Sequence, residues 1–160
     1  MREDILLKPM TSEMYHEFFR EYQNDMDLYL DKNDFFEYVY DKSKVDAYIQ
    51  RQIDLNRRAF AIMLGNDIVG ELKIYDIVKG KSATLGITMK NKNYKDRGFG
   101  TRAEQLAIEY VFYQLNIPVL YADSVITNTR SQHVLEKVGF EFIYADEQRK
   151  HYRIARNLQK

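Results

Sequence analysis

Apolar residues recur along this chain with two spacings, one typical of helices and one typical of strands. In the clearest helical stretch, Ala103, Ala107 and Val111 recur every fourth residue, with further apolar residues between them. This spacing places one apolar face on a helix. By contrast, the two apolar runs that flank Gly65-Asn66-Asp67 predict a hairpin of strands with its turn at the glycine.

Extended over the chain, these patterns predict seven strands and four helices, whereas Asp25–Lys44 shows no clear period. The predicted strands are Ile5–Lys8, Ala59–Leu64, Ile68–Ile77, Ala83–Met89, Val119–Ile126, Phe140–Ala145 and His151–Ala155. The predicted helices are one beginning at Thr11 or Ser12, then Val45–Asn56, Gly100–Leu115 and a short one at Val134–Val138. The crossover from Ala83 to Ile126 should bring two strands parallel. The order therefore predicts an α/β (mixed α+β) fold, with a mostly antiparallel sheet, one parallel strand pair and helices on both faces.

The amino-acid composition narrows the class of protein and the kinds of site that this chain can contain. The 160 residues fit one domain, residues 1–160. The chain has no Cys, which excludes disulfides, thiolate metal sites and a cysteine nucleophile. Its three His residues are widely spaced, so we expect no metal. No apolar run approaches the ~20 residues of a membrane span, and we expect a cytoplasmic protein without membrane partners.

The formal charge is zero, but it is unevenly distributed. Residues 1–50 hold twelve acids and six bases, a balance of −6, and the rest of the chain carries +6. Because there is no net basic field, we expect no DNA partner. The asymmetry indicates either two binding functions within one domain or two solvated surfaces of opposite sign.

The segment Lys95–Thr101 joins a predicted strand to the strongest predicted helix. Gly98 and Gly100 let the backbone approach a ligand closely, and the first amides of the helix have no intrahelical partner. With the positive end of the helix dipole behind them, these amides suit a phosphate or pyrophosphate. The alternative interpretation is that the two glycines only serve a tight turn.

Two motifs here resemble the GNAT superfamily of N-acetyltransferases. Gly98 and Gly100 match the acyl-CoA motif Gln/Arg-x-x-Gly-x-Gly/Ala, with Lys95 at the position where Gln or Arg is usual. Asn128–Ser131, followed by Glu136-Lys137-Val138-Gly139-Phe140, resembles the Asn-x-x-Ser…Glu-Lys-x-Gly-Phe block of the RimJ/RimL-type subgroup. The resemblance spans most of the chain and agrees with the predicted element order.

The resemblance implies that acetyl-CoA binds where the two crossover strands splay apart. It implies that Met89 or a neighbour polarises the thioester carbonyl through its amide, and that Ser131 lies near the thioester sulfur. Asn128 would contact the CoA arm or cap a helix, two roles of equal weight. The residues it assigns to acetyl-CoA are Ile87, Thr88, Met89, Lys95, Asp96, Arg97, Gly98, Phe99, Gly100, Thr101, Asn128 and Ser131.

Without Cys, the acceptor amine should attack the bound thioester directly, helped by an acid and a base. Many superfamily members place a Tyr acid four residues before the Gly-Phe glycine, where this chain has Leu135. We take Ser131 as the candidate acid in its place. An equally good interpretation is that Ser131 is only a structural residue in the first turn of a helix. Glu71 is a candidate base acting through water, or only a solvated strand residue. Asp123 and Tyr152 are weaker candidates.

Acidic and aromatic residues alternate in Asp25–Asp41, the region that forms the acceptor pocket in this superfamily. They predict a cationic amine acceptor: a polyamine, an aminoglycoside-like amine, a peptide N-terminus or a protein Lys. The alternative is a solvated acidic loop. At the level of function, the alternatives are a non-catalytic acyl-CoA-binding module and a phosphate-binding domain that does not use CoA. A homodimer and an acceptor linked to transfer RNA or the ribosome stay open.

Overall fold

The computed structural model describes residues 4–157 and contains one seven-stranded sheet with four α-helices. The strands are β1 (Ile5–Pro9), β2 (Arg58–Leu64), β3 (Asp67–Val78), β4 (Ser82–Met89), β5 (Val119–Val125), β6 (Glu141–Ala145) and β7 (Arg149–Ala155). The helices are α1 (Ser12–Glu21), α2 (Lys42–Asp54), α3 (Phe99–Glu109) and α4 (Thr129–Lys137). The strand order is β1-β2-β3-β4-β5-β7-β6, and only β4 and β5 run parallel. The predicted fold class is thus confirmed.

Side-chain caps fix where the first two helices begin. The Thr11 hydroxyl accepts a hydrogen bond from the Met14 amide over 3.1 Å, so α1 starts as predicted. At α2, the Asp41 carboxylate accepts from the amides of Ser43 and Lys44. This cap starts the helix at Lys42, three residues before the predicted position. The prediction began too late because the first residues of the helix are polar and add nothing to the apolar stripe.

Two further helix boundaries differ from the prediction. The long predicted helix is α only as far as Glu109, and Tyr110–Gln114 continues it as a π-helix. The last helix begins at Thr129, five residues before its predicted start, because the Asn128 side chain accepts from the Ser131 amide. Its first turn is polar, and an apolar period therefore cannot detect it.

The sheet separates two apolar layers. On one face, a core cluster includes Leu72 and Leu120 of the sheet, Ala103 of α3 and Leu135 of α4. On the other face, smaller clusters pack α1 and α2 against the first strands. Alternation along a strand then assigns Glu71 to the α1–α2 face, since Leu72 lies on the opposite one. Helices cover both faces, as predicted.

The parallel pair is short, and this opens the middle of the sheet. Strands β4 and β5 are paired only over Ser82–Thr84 with Val119–Tyr121. Beyond Thr84, β4 stays paired with β3, and β5 stays paired with β7. The remainder of each strand therefore faces a gap. Within residues 4–157, no helix is both long and apolar enough to cross a membrane.

Candidate active site

Two cavities meet in the gap between β4 and β5. The larger, about 1010 Å³, lies on the side of the α3 and α4 N-termini. The smaller, about 420 Å³, is lined by Lys73, Asp123 and Arg149 on the α1–α2 side of the sheet and by Leu85, Ala122 and Leu135 of the core under α3 and α4. Both share six lining residues: Leu28, Ile87, Thr88, Glu104, Asn128 and Ser131. A molecule in the larger cavity can therefore meet a second molecule from the smaller one at this junction, which we call the cavity junction.

The N-terminus of α3 forms an open cradle at the far end of the larger cavity. Gly98 is its N-cap residue, with φ of +82°, and its side-chain position is surrounded by open space. Gly100 has no positive φ, and a Cβ added there would also meet nothing within 4 Å. Neither a turn conformation nor packing therefore requires glycine at position 100. The absent side chain leaves room for a ligand against the first-turn amides.

Some of the other residues assigned to this loop line the larger cavity, and others support the loop. Lys95, Asp96, Gly98, Gly100 and Thr101 all line the larger cavity. Arg97 instead places its guanidinium over the ring of Phe99, 4.7 Å from the centroid. Phe99 is buried in the core. These two residues thus support the loop, and Phe99 also supplies a first-turn amide at the start of α3.

The start of the acidic segment lies against this cradle, whereas its later acids Asp31, Asp34 and Glu37 are exposed. Asp25 contacts the Lys95 ammonium and also caps a 3₁₀ turn through the Asp27 amide. The Arg130 guanidinium of α4 lies 3.4 Å from Asp27 and 3.1 Å from Asp96. Much of the charge in this segment therefore serves capping and ion pairing, roles that the sequence pattern did not reveal.

The backbone of β4 presents unused groups to the gap. The Lys90 amide donates to the Val69 carbonyl over 2.7 Å, and the Thr88 carbonyl faces Gly70 of β3. Because ladder bonds alternate in direction along an antiparallel pair, the amides of Ile87 and Met89 point the other way, toward the gap. The Thr88 side chain lines both cavities. Three β4 residues were predicted to bind acetyl-CoA. Of these, Ile87 and Met89 offer backbone amides to the gap between β4 and β5, and Thr88 offers its hydroxyl.

Asn128 and Ser131 lie at the cavity junction. The Asn128 side chain caps α4 by accepting from the Ser131 amide over 3.2 Å, and both residues line both cavities. The cap leaves the amide nitrogen of the Asn128 side chain available to a ligand. Capping and ligand contact are therefore compatible in this geometry.

Glu71 lies on β3 beside the smaller cavity but lines neither cavity. It is 3% exposed, and its carboxylate accepts hydrogen bonds from the hydroxyls of Tyr15 (2.5 Å) and Tyr48 (2.8 Å). Burial, and then the Glu71 charge, raise the pKa of both tyrosines. The Lys73 ammonium lies 3.9 Å from Glu71 and donates to the Tyr48 hydroxyl over 3.0 Å. Lys73 does line the smaller cavity, so Glu71 reaches it through this side chain.

The smaller cavity has three basic and two acidic lining residues. Arg57, Lys73 and Arg149 line it, together with Asp123 and Tyr75. Arg149 donates to the Asp123 carboxylate over 2.5 Å. Arg57 lies over the Tyr75 ring at 5.3 Å and donates to the Gln52 amide oxygen. Burial lowers the pKa of Lys73, and the nearby Glu71 charge opposes that shift.

The other two candidate proton carriers have structural partners. Asp123 lines the smaller cavity but pairs with Arg149. Tyr152 belongs to the core at 1% exposed, packs edge-on against the exposed Phe142, and lies outside both cavities. Leu135, which occupies the usual Tyr position, lines the smaller cavity with an apolar side chain.

Sequence reasoning missed Glu104, which is buried at the cavity junction. It lies three residues before Ala107 and seven before Val111, and its place in this apolar stripe was the available signal. The side chain is 2% exposed, and its Oε1 has no hydrogen-bond partner among the described residues. Burial raises the pKa of Glu104 to about 8, so the group is largely neutral at pH 7.

Comparisons with known proteins identify the family of this chain. The family described as acetyltransferase (GNAT) domain matches residues 4–141. The probable N-acetyltransferase YjcK of Bacillus subtilis (strain 168) is 25% identical over 112 residues, which is 68% of this chain and 61% of that protein. The chain therefore aligns with less than two thirds of this relative's length.

Two solved structures share the fold. RimL, a ribosomal alpha-N-protein acetyltransferase solved with coenzyme A, has a TM-score of 0.78 at 15% identity, covering 94% of this chain and 93% of that one. The Campylobacter jejuni N-acetyltransferase PseH, solved with acetyl coenzyme A, has a TM-score of 0.71 at 18% identity, covering 96% of this chain and 100% of that one. The family match extends from β1 to the start of β6 and includes both predicted motifs, and the chain thus belongs to the acetyltransferase (GNAT) domain family.

Proposed function

We propose that this chain transfers an acetyl group from acetyl-CoA directly to a primary amine. The observation that carries the proposal is the pair of cavities that meet where β4 and β5 separate. One has an anion cradle at its far end, and the other is open to a second substrate. Direct transfer needs this arrangement, because the amine must reach the carbonyl carbon while CoA stays bound.

The residues of the larger cavity fit acetyl-CoA. The first-turn amides of α3 would hold the pyrophosphate in the space that Gly98 and Gly100 leave open. The amides of Ile87 and Met89 would bind the pantetheine arm along β4. Acetyl-CoA supplies the activated acyl group, and the protein supplies its position and the polar groups around the reacting carbonyl.

Each predicted catalytic residue has a role in this proposal. The Met89 amide, which points into the gap, would stabilise negative charge on the thioester oxygen. The Ser131 hydroxyl would donate a hydrogen bond near the sulfur at the cavity junction. Glu71 would act as a base through water or through Lys73, the group that connects it to the smaller cavity.

For the acceptor, we propose a cationic amine, and among such amines a peptide N-terminus with a nearby acidic group. The exposed acids of this segment, Asp31, Asp34 and Glu37, would supply attraction at long range. The smaller cavity itself presents Arg57, Lys73 and Arg149, which suit a carboxylate on the same molecule. Spermidine, a neutral amino acid and peptides with and without an early Asp are to be compared by kcat/KM at low and high salt. Equal rates without a salt effect would remove the electrostatic part of this proposal.

Gly98→Asp tests the anion cradle. The new carboxylate would occupy the place of the pyrophosphate, and we expect acetyl-CoA affinity to fall at least tenfold. Gly80→Asp is the matched control, because Gly80 also has a positive φ, +72°, and open space around it, in the turn between β3 and β4. Wild-type affinity in Gly98→Asp, measured by calorimetry, would contradict the assignment.

The competing proposal is a non-catalytic acyl-CoA-binding module on the same fold. Leu135 favours it, since the usual tyrosine acid is missing. Release of free thiol from acetyl-CoA with a panel of amines separates the two. Tight binding of acetyl-CoA without amine-dependent thiol release would favour the binding module, and tighter binding of ATP than of acetyl-CoA would remove both.

A further inference from the structure

Glu104 has features that the packing of the protein does not explain. It is 2% exposed, and its Oε1 is inaccessible and forms no hydrogen bond among residues 4–157. A buried carboxyl group without a partner destabilises a fold, because it loses its bonds to water. Leu would fit the same helix position without that penalty. The carboxyl group as a whole lines both cavities, so a molecule bound there can supply the missing partner.

The location of Glu104 indicates which partner this is. Six residues line both cavities, and Glu104 is the one among them with an ionisable side chain. Acyl transfer must occur where the two cavities meet, since the acyl donor and the amine enter from opposite sides. The buried acid therefore lies at the place where a thiolate would leave. Leu135, at the usual position of the acid, shares the smaller cavity with Glu104.

We infer that Glu104 is the proton donor to the departing CoA thiolate, a catalytic role that rests on the proposed acetyl transfer. The ammonium form of the acceptor first loses a proton to water in the smaller cavity, and the neutral nitrogen then forms a bond to the carbonyl carbon as the carbon–sulfur bond breaks. The carboxyl proton of Glu104 moves to sulfur, and a second proton leaves the nitrogen to water in the smaller cavity. Solvent reprotonates Glu104 after the products leave, so atoms and charge balance.

The acidity of Glu104 suits this transfer. Burial raises its pKa to about 8, near the ~8.5 of an ordinary thiol, so the proton is present at neutral pH and can be given up to a thiolate. The charged or titratable side chains that share its cavities are Asp25, Tyr94, Lys95, Asp96, Arg130, His133, Glu136, Lys137 and Lys150 on one side, and Arg57, Lys73, Tyr75, Asp123 and Arg149 on the other. Burial, and not one of these charges, accounts for the raised pKa.

The main test compares Glu104→Gln with wild type. Gln keeps the size and a hydrogen-bond donor but has no transferable proton. We expect kcat to fall about a hundredfold or more and the affinity for acetyl-CoA, measured by calorimetry, to stay within threefold. The wild-type kcat should decline above pH of about 8, whereas Glu104→Gln should lack this decline. Glu109→Gln, at an exposed glutamate of the same helix, is the matched control and should behave as wild type.

A second readout does not depend on turnover. In protein labelled with ¹³C at glutamate carboxyls, the resonance missing from Glu104→Gln should titrate near pH 8 in the free protein. Titration near pH 4 would overturn the inference. So would an unchanged kcat in Glu104→Gln, or a loss confined to acetyl-CoA affinity, which would make Glu104 a group that holds the pantetheine arm.

The inference and the proposed function fail in different ways. If wild type binds acetyl-CoA but releases no thiol with any amine, the proposed transfer is wrong and the role of Glu104 is wrong with it. If wild type acetylates amines and Glu104→Gln does so equally fast, only the role of Glu104 is wrong.

Discussion

Gly100→Ala separates the two interpretations of the glycine loop. If Gly100 only serves a tight turn, a methyl group there should affect folding and not binding. If it keeps space free for a pyrophosphate, the effect should be the reverse. The structure favours the second outcome, since position 100 has no positive φ and open space around its side-chain position.

The expected sizes follow from this geometry. Replacing Gly by Ala inside a helix stabilises it by up to about 0.5–1 kcal/mol, and somewhat less in the first turn. We therefore expect an unchanged or slightly higher free energy of unfolding. The methyl group would displace a phosphate from one or two amide hydrogen bonds, each worth roughly 1.5–3 kcal/mol when the acceptor is charged. The Kd for acetyl-CoA should then rise about tenfold to a hundredfold or more.

The assay combines urea denaturation with calorimetry on the same preparations. Acetylpantetheine, which lacks the pyrophosphate, should remain an equally poor acyl donor for wild type and Gly100→Ala. Gly80→Ala is the control for backbone strain alone. Its φ of +72° should make an alanine cost about 1–2 kcal/mol of stability without changing acetyl-CoA affinity.

A wild-type Kd for acetyl-CoA in a fully folded Gly100→Ala protein would refute this reasoning. It would mean that the larger cavity binds its ligand without using the start of α3. A large loss of stability would also contradict it, because the described surroundings of Gly100 leave room for a methyl group.

Three further predictions concern stability. Burial raises the pKa of Glu104 from 4.5 to about 8, so the folded protein holds this proton more tightly than the unfolded chain does. The free energy of unfolding should therefore fall as the pH rises from about 4.5 to 8, by at most about 1.4 kcal/mol per pH unit. Glu104→Leu should remove this slope in urea titrations, and an unchanged slope would contradict the assignment. Tyr15→Phe removes a buried hydrogen bond to Glu71 and should lower the free energy of unfolding by about 1.5–3 kcal/mol, with Tyr29→Phe as a tyrosine control away from Glu71; equal stabilities of the two variants would contradict it. Thr11→Ala removes the cap of α1 and should cost about 0.5–2 kcal/mol by thermal unfolding, whereas no change would show that the cap contributes nothing.

The order of elements was predictable because each apolar stripe keeps its period through the part of the element that is buried. The loop at Lys95–Thr101 and the motif at Asn128 were also predictable, since each has its own residue signature. The start of α4 was not, because Thr129–His133 adds few apolar side chains, and a single cap hydrogen bond from Asn128 decides it.

The charges were harder to interpret than the apolar pattern. Asp25 and Asp27 have the same appearance in sequence as acids that attract a substrate, yet they cap a turn and pair with Lys95 and Arg130. Those partners lie about 70 to 100 residues away in the chain, and sequence spacing cannot bring them together. Glu104 was missed because it has no partner in the described structure and belongs to no motif. Its place in an apolar stripe was the one signal that the sequence offered.

The short pairing between β4 and β5 also has a consequence for hydrogen exchange. Only three residue pairs join the two halves of the sheet, β1–β4 and β5–β7–β6. Ile87 and Met89 lie on β4, a strand in the middle of the sheet. Their amides nevertheless lack the protection from hydrogen exchange that a bond to a neighbouring strand provides. An extended ligand with its own amide groups would take the place of that strand and join the halves. Slowed exchange at these two amides, and a rise in Tm with ligand concentration, would thus report that a substrate completes the sheet.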